Sequence, residues 1–294
     1  MNSLSLLKPS LILLAVLAIN ACQGTPASPT PAPTLQPRAT ASAPTATTQP
    51  LAAVVNGEGI PLSAYQAELS RYQQAVGTEL ATEQKQIVLD TLIDRQLLAQ
   101  AAAEDGFIVD EAMVNERLNK LMEQIGGETA LQSWMDQNSF TIETLKEALR
   151  LEIAAAWMRD QIYNQTPKAM EQVHARQILL YTAEKADQVL AELKNGGDFA
   201  KLAALYDPVT YGDLGWFPRG FLLDPKLEEA IFSLAPNEIT PVIQTSAGYH
   251  IVQLLAREAQ RPLDADTYQA IQLLALQTWL QQRRAESAME ITLP

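Results

Sequence analysis

The chain has 294 residues, 47% of them hydrophobic, enough for two modest domains that need neither disulfides nor metals to fold. One cysteine, Cys22, and two histidines, His174 and His250, exclude an internal disulfide and leave cysteine-rich or histidine-rich metal sites without ligands. The formal charge is −13, and all 34 acidic residues lie after residue 50, a balance unsuited to a nucleic-acid backbone, which calls for clustered Lys and Arg.

Residues 1–22 read as a targeting segment: Lys8 is its only charge, Leu11 to Ile19 is an apolar run short for a bilayer span, and small residues lead to Cys22. Ile19-Asn20-Ala21-Cys22 resembles a bacterial lipobox, which implies lipidation of the Cys22 thiol and a membrane anchor. A plain secretory signal or a short signal anchor is the alternative. Residues 23–50 hold seven prolines and seven threonines among Ala and Ser and cannot bury enough apolar surface to fold. They are expected to be a disordered linker, extended by its prolines, that sets the folded body off the membrane.

From Leu51 the pattern changes. Ala53 to Val55, Asn56-Gly57 and Ile60 read as a small hairpin. Ser63 with Gln66 three residues on reads as a capping box, opening a helix with Tyr65, Leu69, Tyr72 and Val76 as its apolar stripe. Thr82 is the expected cap of a second helix that carries Val88, Leu92 and Leu97 and stops at Gly106. Asp110 opens a third, with Val114, Leu118, Leu121 and Ile125. Leu131, Trp134 and Met135 suggest a short fourth, and Thr141 opens a long fifth with Leu145, Leu149, Ile153 and Trp157. Residues 51–168 therefore read as an all-helical domain behind a hairpin, with no His or Cys of its own.

Residues 169–258 read as α+β. VHARQILLY is a strand, Thr182 to Leu193 a helix stopped by Asn195-Gly196-Gly197, and Asp198 the cap of a helix with Phe199, Leu202, Ala203 and Tyr206. Tyr211 to Phe232 follows as YGDLGWFPRGFLLDPKLEEAIF, where Gly212 and Gly215 demand a tight turn or a close approach. Within it Leu227, Ala230, Ile231 and Leu234 recur at helical spacing, with Glu228 and Glu229 on the other face. Gly248 to Leu254 alternates as a strand, sending His250, Val252 and Leu254 one way and Tyr249, Ile251 and Gln253 the other. The β-α-α-β-α-β-β order fits a four-stranded antiparallel sheet with helices packed on it. After Pro262, Asp264 is the expected cap of a last helix through Ala288, with Ile271, Leu274, Trp279 and Leu280 on its apolar face.

The Gly-Asp-Leu-Gly turn, the helix after Pro225 and Gly-Tyr-His-Ile on a strand together resemble the parvulin family of peptidyl-prolyl cis-trans isomerases. The hairpin, LIDRQLLAQAAAEDGF and the Ala-Arg-x-Ile-Leu strand resemble extracytoplasmic folding factors of the SurA and PrsA type. That resemblance implies a helical chaperone domain over 51–168, a parvulin domain over 169–258, and a C-terminal segment, 259–294, whose helix packs back on the chaperone domain. It implies a proline pocket on Leu214, Leu222, Leu227 and Phe232, with Thr245 among the substrate-binding residues, and His250, Gln177 and Asp207 as the catalytic set. Gln177 stands where the family has its first histidine; it keeps a donor and an acceptor but cannot carry a positive charge. Tyr206 replaces the serine before the acid, Pro208 falls where a polar residue is expected, and Leu227 replaces an aromatic pocket residue. The implied function is a membrane-anchored isomerase and chaperone for exported proteins. Its partners would be unfolded or partly folded polypeptides with proline-containing segments, and it would take no cofactor, metal or nucleic acid. The alternative is a non-catalytic peptide-binding holdase with a degenerate parvulin domain.

Overall fold

The computed structural model describes residues 50–138 and 140–293; Cys22 and the Pro- and Thr-rich stretch up to Gln49 lie outside them. The described residues form two compact units. One runs to Ala155 and includes Arg284 onward, and the other is Ala156–Arg283. None of the described helices is long and apolar enough to cross a membrane.

The first unit opens with the expected hairpin of β1, Leu51–Val55, and β2, Glu58–Pro61. Asn56 and Gly57 join them with φ of 51° and 84°, the left-handed pair that a two-residue turn with the native strand twist requires. Five helices follow: α1 Leu62–Val76, α2 Thr82–Glu104, α3 Glu111–Ile125, α4 Glu128–Gln137 and α5 Ile142–Asn164, whose residues after Ala155 belong to the second unit. Ala52, Ala53 and Val55 of β1 pack with Tyr65 of α1 and with Leu89, Leu92, Ile93 and Leu97 of α2 into one core. Leu131 and Met135 of α4 meet Leu145 of α5 in another, where Trp134 stacks on Phe140 at 5.5 Å.

Two expected caps are corrected. β2 runs straight into α1, so extended Pro61 holds the cap position without a side-chain bond and Ser63 already lies inside the first turn. Thr82 is likewise the first residue of α2, and Ala81 caps it with its N–H given to Gln84 Oε1 at 2.9 Å.

The second unit holds β3 Ala169–Leu180, α6 Ala183–Lys194, α7 Phe199–Tyr206, β4 Asp213–Pro218, α8 Pro225–Ser233, β5 Ile243–Thr245 and β6 Gly248–Pro262. The strands form an antiparallel sheet in the order β4-β3-β6-β5. Val173, Ala175, Val252, Leu254 and Phe217 make one apolar layer with Leu227, Ile231 and Phe232 of α8. Ile178, Leu180 and Ile251 make the other with Ala186 and Val189 of α6 and Phe199 and Leu202 of α7. Strand β6 runs well past Leu254, because Glu258 to Pro262 pair with the start of β3 at Gln172 to Ala169.

Asp264 caps α9, Ala265–Glu286, by accepting the Thr267 N–H at 2.9 Å and hydroxyl at 2.8 Å. The end of α9 returns to the first unit: Arg284 donates from Nε to Asp94 at 2.6 Å and from Nη1 to Asp90 at 2.9 Å, both on α2. A strand that the sequence did not announce, β7 Met289–Ile291, then pairs with β1 and completes a sheet ordered β2-β1-β7.

Candidate active site

The register of β3 and β6 sets the centre of the site. Gln177 pairs with Val252 and Leu179 with His250, so Gln177 and His250 are diagonal neighbours on one face. Their side chains meet, with His250 Nδ1 2.9 Å from Gln177 Oε1. On the other side of the ring, Nε2 is 2.8 Å from Thr245 Oγ1, brought there by the tight β5–β6 turn. The Ala247 N–H donates to that same Oγ1 at 3.0 Å.

These contacts form a directed string. With Gln177 Oε1 accepting, Nδ1 carries the proton and Nε2 accepts from the Thr245 hydroxyl, leaving the Gln177 amide N–H₂ as its free donor end. His250 is 6% exposed, and burial lowers its pKa from the ordinary 6.5, while the nearby Asp224 carboxylate pulls it upward. The neutral imidazole is therefore the form that the fold favours.

Asp207 reaches this region from the end of α7. Its Oδ1 accepts the Val209 and Thr210 N–H groups at 3.1 Å each, and the Thr210 hydroxyl donates to Oδ2. That hydroxyl, ahead of the backbone donors, lowers the Asp207 pKa. Both carboxylate oxygens are thus held by their own loop, which then crosses β3: the Gln177 N–H donates to Gly212 O at 2.8 Å. Gly212 has φ 71°, and a Cβ there would lie 2.0 Å from Gln177 O, so no other residue fits. A cleft of about 460 Å³ opens beside this crossing, lined by Gln177, Leu180, Lys185, Tyr206, Asp207 and Gly212.

The four pocket residues read from the sequence share one apolar cluster. Leu214 and Leu222 are half-buried at its margin, while Leu227 and Phe232 are 7% and 4% exposed and form its floor. Phe232 is gripped from several sides, by the Arg219 guanidinium 4.2 Å from its ring centroid and by Phe217 edge-on at 6.1 Å. His174 turns to the opposite face of β3, bonds Asp213 at 2.8 Å and stacks on Trp216. Sequence reasoning passed over Glu228, placing it only on the polar face of its helix. Its carboxylate receives the backbone N–H groups of Gly220, Phe221 and Leu222. The signal was present as a glycine-bearing loop followed by a carboxylate one turn into the next helix.

Residues 38–159 match the family model of the SurA-like N-terminal domain, and residues 162–258, which include every site residue above, match that of the PPIC-type PPIase (peptidyl-prolyl isomerase) domain. The chain thus carries a SurA-like N-terminal domain followed by a PPIC-type PPIase domain. Among its relatives, the foldase protein PrsA of Caldanaerobacter subterraneus subsp. tengcongensis is 29% identical over 230 residues, 68% of this chain and 72% of that protein. The chaperone SurA of Dechloromonas aromatica is 32% identical over 146 residues, 42% of this chain but 33% of SurA. A crystal structure of the peptidylprolyl isomerase PrsA from Bacillus cereus aligns with a TM-score of 0.46 at 21% identity, covering 78% of this chain and 83% of that one.

Proposed function

We propose that this chain is an extracytoplasmic foldase, held at a membrane face by lipid on Cys22, that isomerises prolyl bonds and shields unfolded segments of exported proteins. The PPIC-type domain makes it a peptidyl-prolyl isomerase by family. The PrsA and SurA relatives, named foldase and chaperone, support the exported-polypeptide clientele. The observation that carries the catalytic reading is the Thr245–His250–Gln177 string ending beside the apolar cluster of Leu214, Leu222, Leu227 and Phe232.

Rotation about a prolyl bond faces a barrier of ~18–20 kcal/mol because amide resonance is lost on twisting. No bond is broken, so the site needs neither a nucleophile nor a leaving-group acid. Catalysis requires that the twisted imide be bound better than either planar form. Leu214 and Leu222 would hold the proline ring against the floor made by Leu227 and Phe232. Taking the imide out of water removes solvation that favours its polar planar form. The Gln177 amide N–H₂, held in one orientation by neutral His250, would donate to the imide as its charge redistributes.

The decisive assay is prolyl-peptide isomerisation run in parallel with suppression of client aggregation. The wild-type chain is expected to accelerate isomerisation, and Gln177→Ala to lower kcat/KM by on the order of 10²-fold. One observation favours a second reading, a peptide-binding holdase without turnover: both central groups, Gln177 and the burial-depressed His250, are neutral. Rates equal to background with aggregation still suppressed would establish the holdase and sink the isomerase.

A further inference from the structure

Glu228 is the side chain around which the loop between β4 and α8 is wound. Its two oxygens each accept the Gly220 N–H at 2.9 Å, and Oε2 also accepts the N–H groups of Phe221 and Leu222 at 3.1 Å. Three successive amide dipoles converging on one carboxylate make a charge-assisted nest, stronger than neutral hydrogen bonds and directional. Its anchor is firm. Glu228 stands in the first turn of α8, whose start is fixed by Pro225 and by Asp224 accepting the Lys226 and Leu227 N–H groups at 3.0 and 3.1 Å.

Apart from Leu274 of α9, which lies against Gly220, the loop has little apolar packing to fix its path. Leu223 is fully exposed, and Phe221 is 47% exposed with a stacked contact 6.2 Å from Phe217. Leu222, between them, is the side chain of the three that joins the apolar cluster. The carboxylate thus decides where the backbone of Leu222 lies, and so how deep its side chain reaches. Nothing in the chemistry of prolyl rotation asks for an acid here, and Glu228 is absent from the Thr245–His250–Gln177 string.

We propose that Glu228 is a positioning residue for proline binding, holding Leu222 as one wall of the pocket and acting through that side chain. The proposal rests on the isomerase reading above, and peptide binding separates the two. With the full chain, the KM and kcat of a proline-containing peptide and its Kd are measured for wild type, Glu228→Ala, Leu222→Ala and the double variant. Glu228→Ala and Leu222→Ala are each expected to raise KM and Kd about tenfold with kcat within about twofold, since uniform binding is what is lost. The double variant is expected to be no worse than the poorer single one, because both remove the same contact. Glu228→Gln keeps one acceptor oxygen and should fall between, at about threefold, which covers the case in which the alanine variant folds poorly. Glu229→Ala, on the same helix, should bind as wild type does. Losses that multiply in the double variant, or a fall in kcat at unchanged KM, would overturn the proposal. If wild type shows no turnover, the isomerase reading fails and Kd alone decides: an unmoved Kd in Glu228→Ala overturns the positioning role, and a tenfold rise with no further loss in the double variant upholds it.

Discussion

His250 has a partner on each ring nitrogen, and the pair of partners fixes how it responds to acid. A proton on Nε2 would turn that nitrogen into a donor facing Thr245 Oγ1, whose own hydrogen would then have to find another acceptor while the Ala247 N–H keeps its place. Burial resists the change by lowering the His250 pKa below 6.5. The unfolded chain therefore takes up a proton that the folded site refuses. The stability owed to neutral His250 is whole above the unfolded value of 6.5 and is lost as pH falls through the lower, folded value. Thermal denaturation at stepped pH should show wild type losing more stability between neutral and mildly acid pH than His250→Gln does. Turnover should stay flat through pH 6.5 and fall only as the pH passes the lower, folded value, because Gln177 does not ionise. Gln177→His should add a second inflection near pH 6.5 to the kcat/KM profile; an unaltered profile would mean that position 177 does not reach the imide.

At the scale of elements, the α7–β4 loop is placed by one backbone crossing. Gly212→Ala meets Gln177 O at 2.0 Å and keeps an unfavourable φ of 71°, so it should cost roughly 2–6 kcal/mol in urea unfolding. Gly215→Ala has a similar φ, 69°, with nothing within 4 Å of the added Cβ, and should cost only about 1–2 kcal/mol. Equal losses at the two positions would show that the crossing is not tight. Much of this architecture could be read from residue spacing. Asp198 and Asp264 cap the helices that they were expected to cap, since a short oxygen-bearing side chain ahead of an apolar periodicity is a local signal. Alternation also sends His250 and Val252 to one face as read, while the meeting of His250 with Gln177 depends on the register of β3 against β6, which neither strand displays alone. Features set by distant partners were not legible. Ala256 to Gln260 lie beyond the alternation that ends at Leu254, yet they belong to β6 because β3 pairs alongside. Met289 to Ile291 are exposed and too short for a periodicity to register, and the open edge of β1 makes them a strand. Glu228 looked like a solvated helix face because its donors are backbone groups, which a sequence does not display.

For the whole molecule, Arg284 is the side chain that ties the C-terminal end to α2. Its partners Asp90 and Asp94 are one turn apart, and burial raises the Asp94 pKa while Arg284 opposes the rise. Arg284→Ala removes that opposition and should cost about 1–3 kcal/mol at neutral pH, read as lost hydrogen-exchange protection in β1 and α2. The loss should shrink as the pH falls and Asp94, its pKa raised by burial, takes up a proton; a deficit independent of pH would point to lost packing alone. Truncation after Ser287 should likewise lower protection in β1 while leaving exchange in β3 and β6 as in wild type. The interlock also orders events in time. Residues 156–283 are one unbroken stretch, whereas the first unit waits for a bond between Asn56 and Ala288, 232 positions apart. In a chain emerging from its N-terminus the inner unit can close first, and the hairpin that emerged long before remains half-paired until the final residues arrive. The last ten or so positions thus act as a latch, and a chain cut short of them would leave the free edge of β1 open to pair with a neighbour.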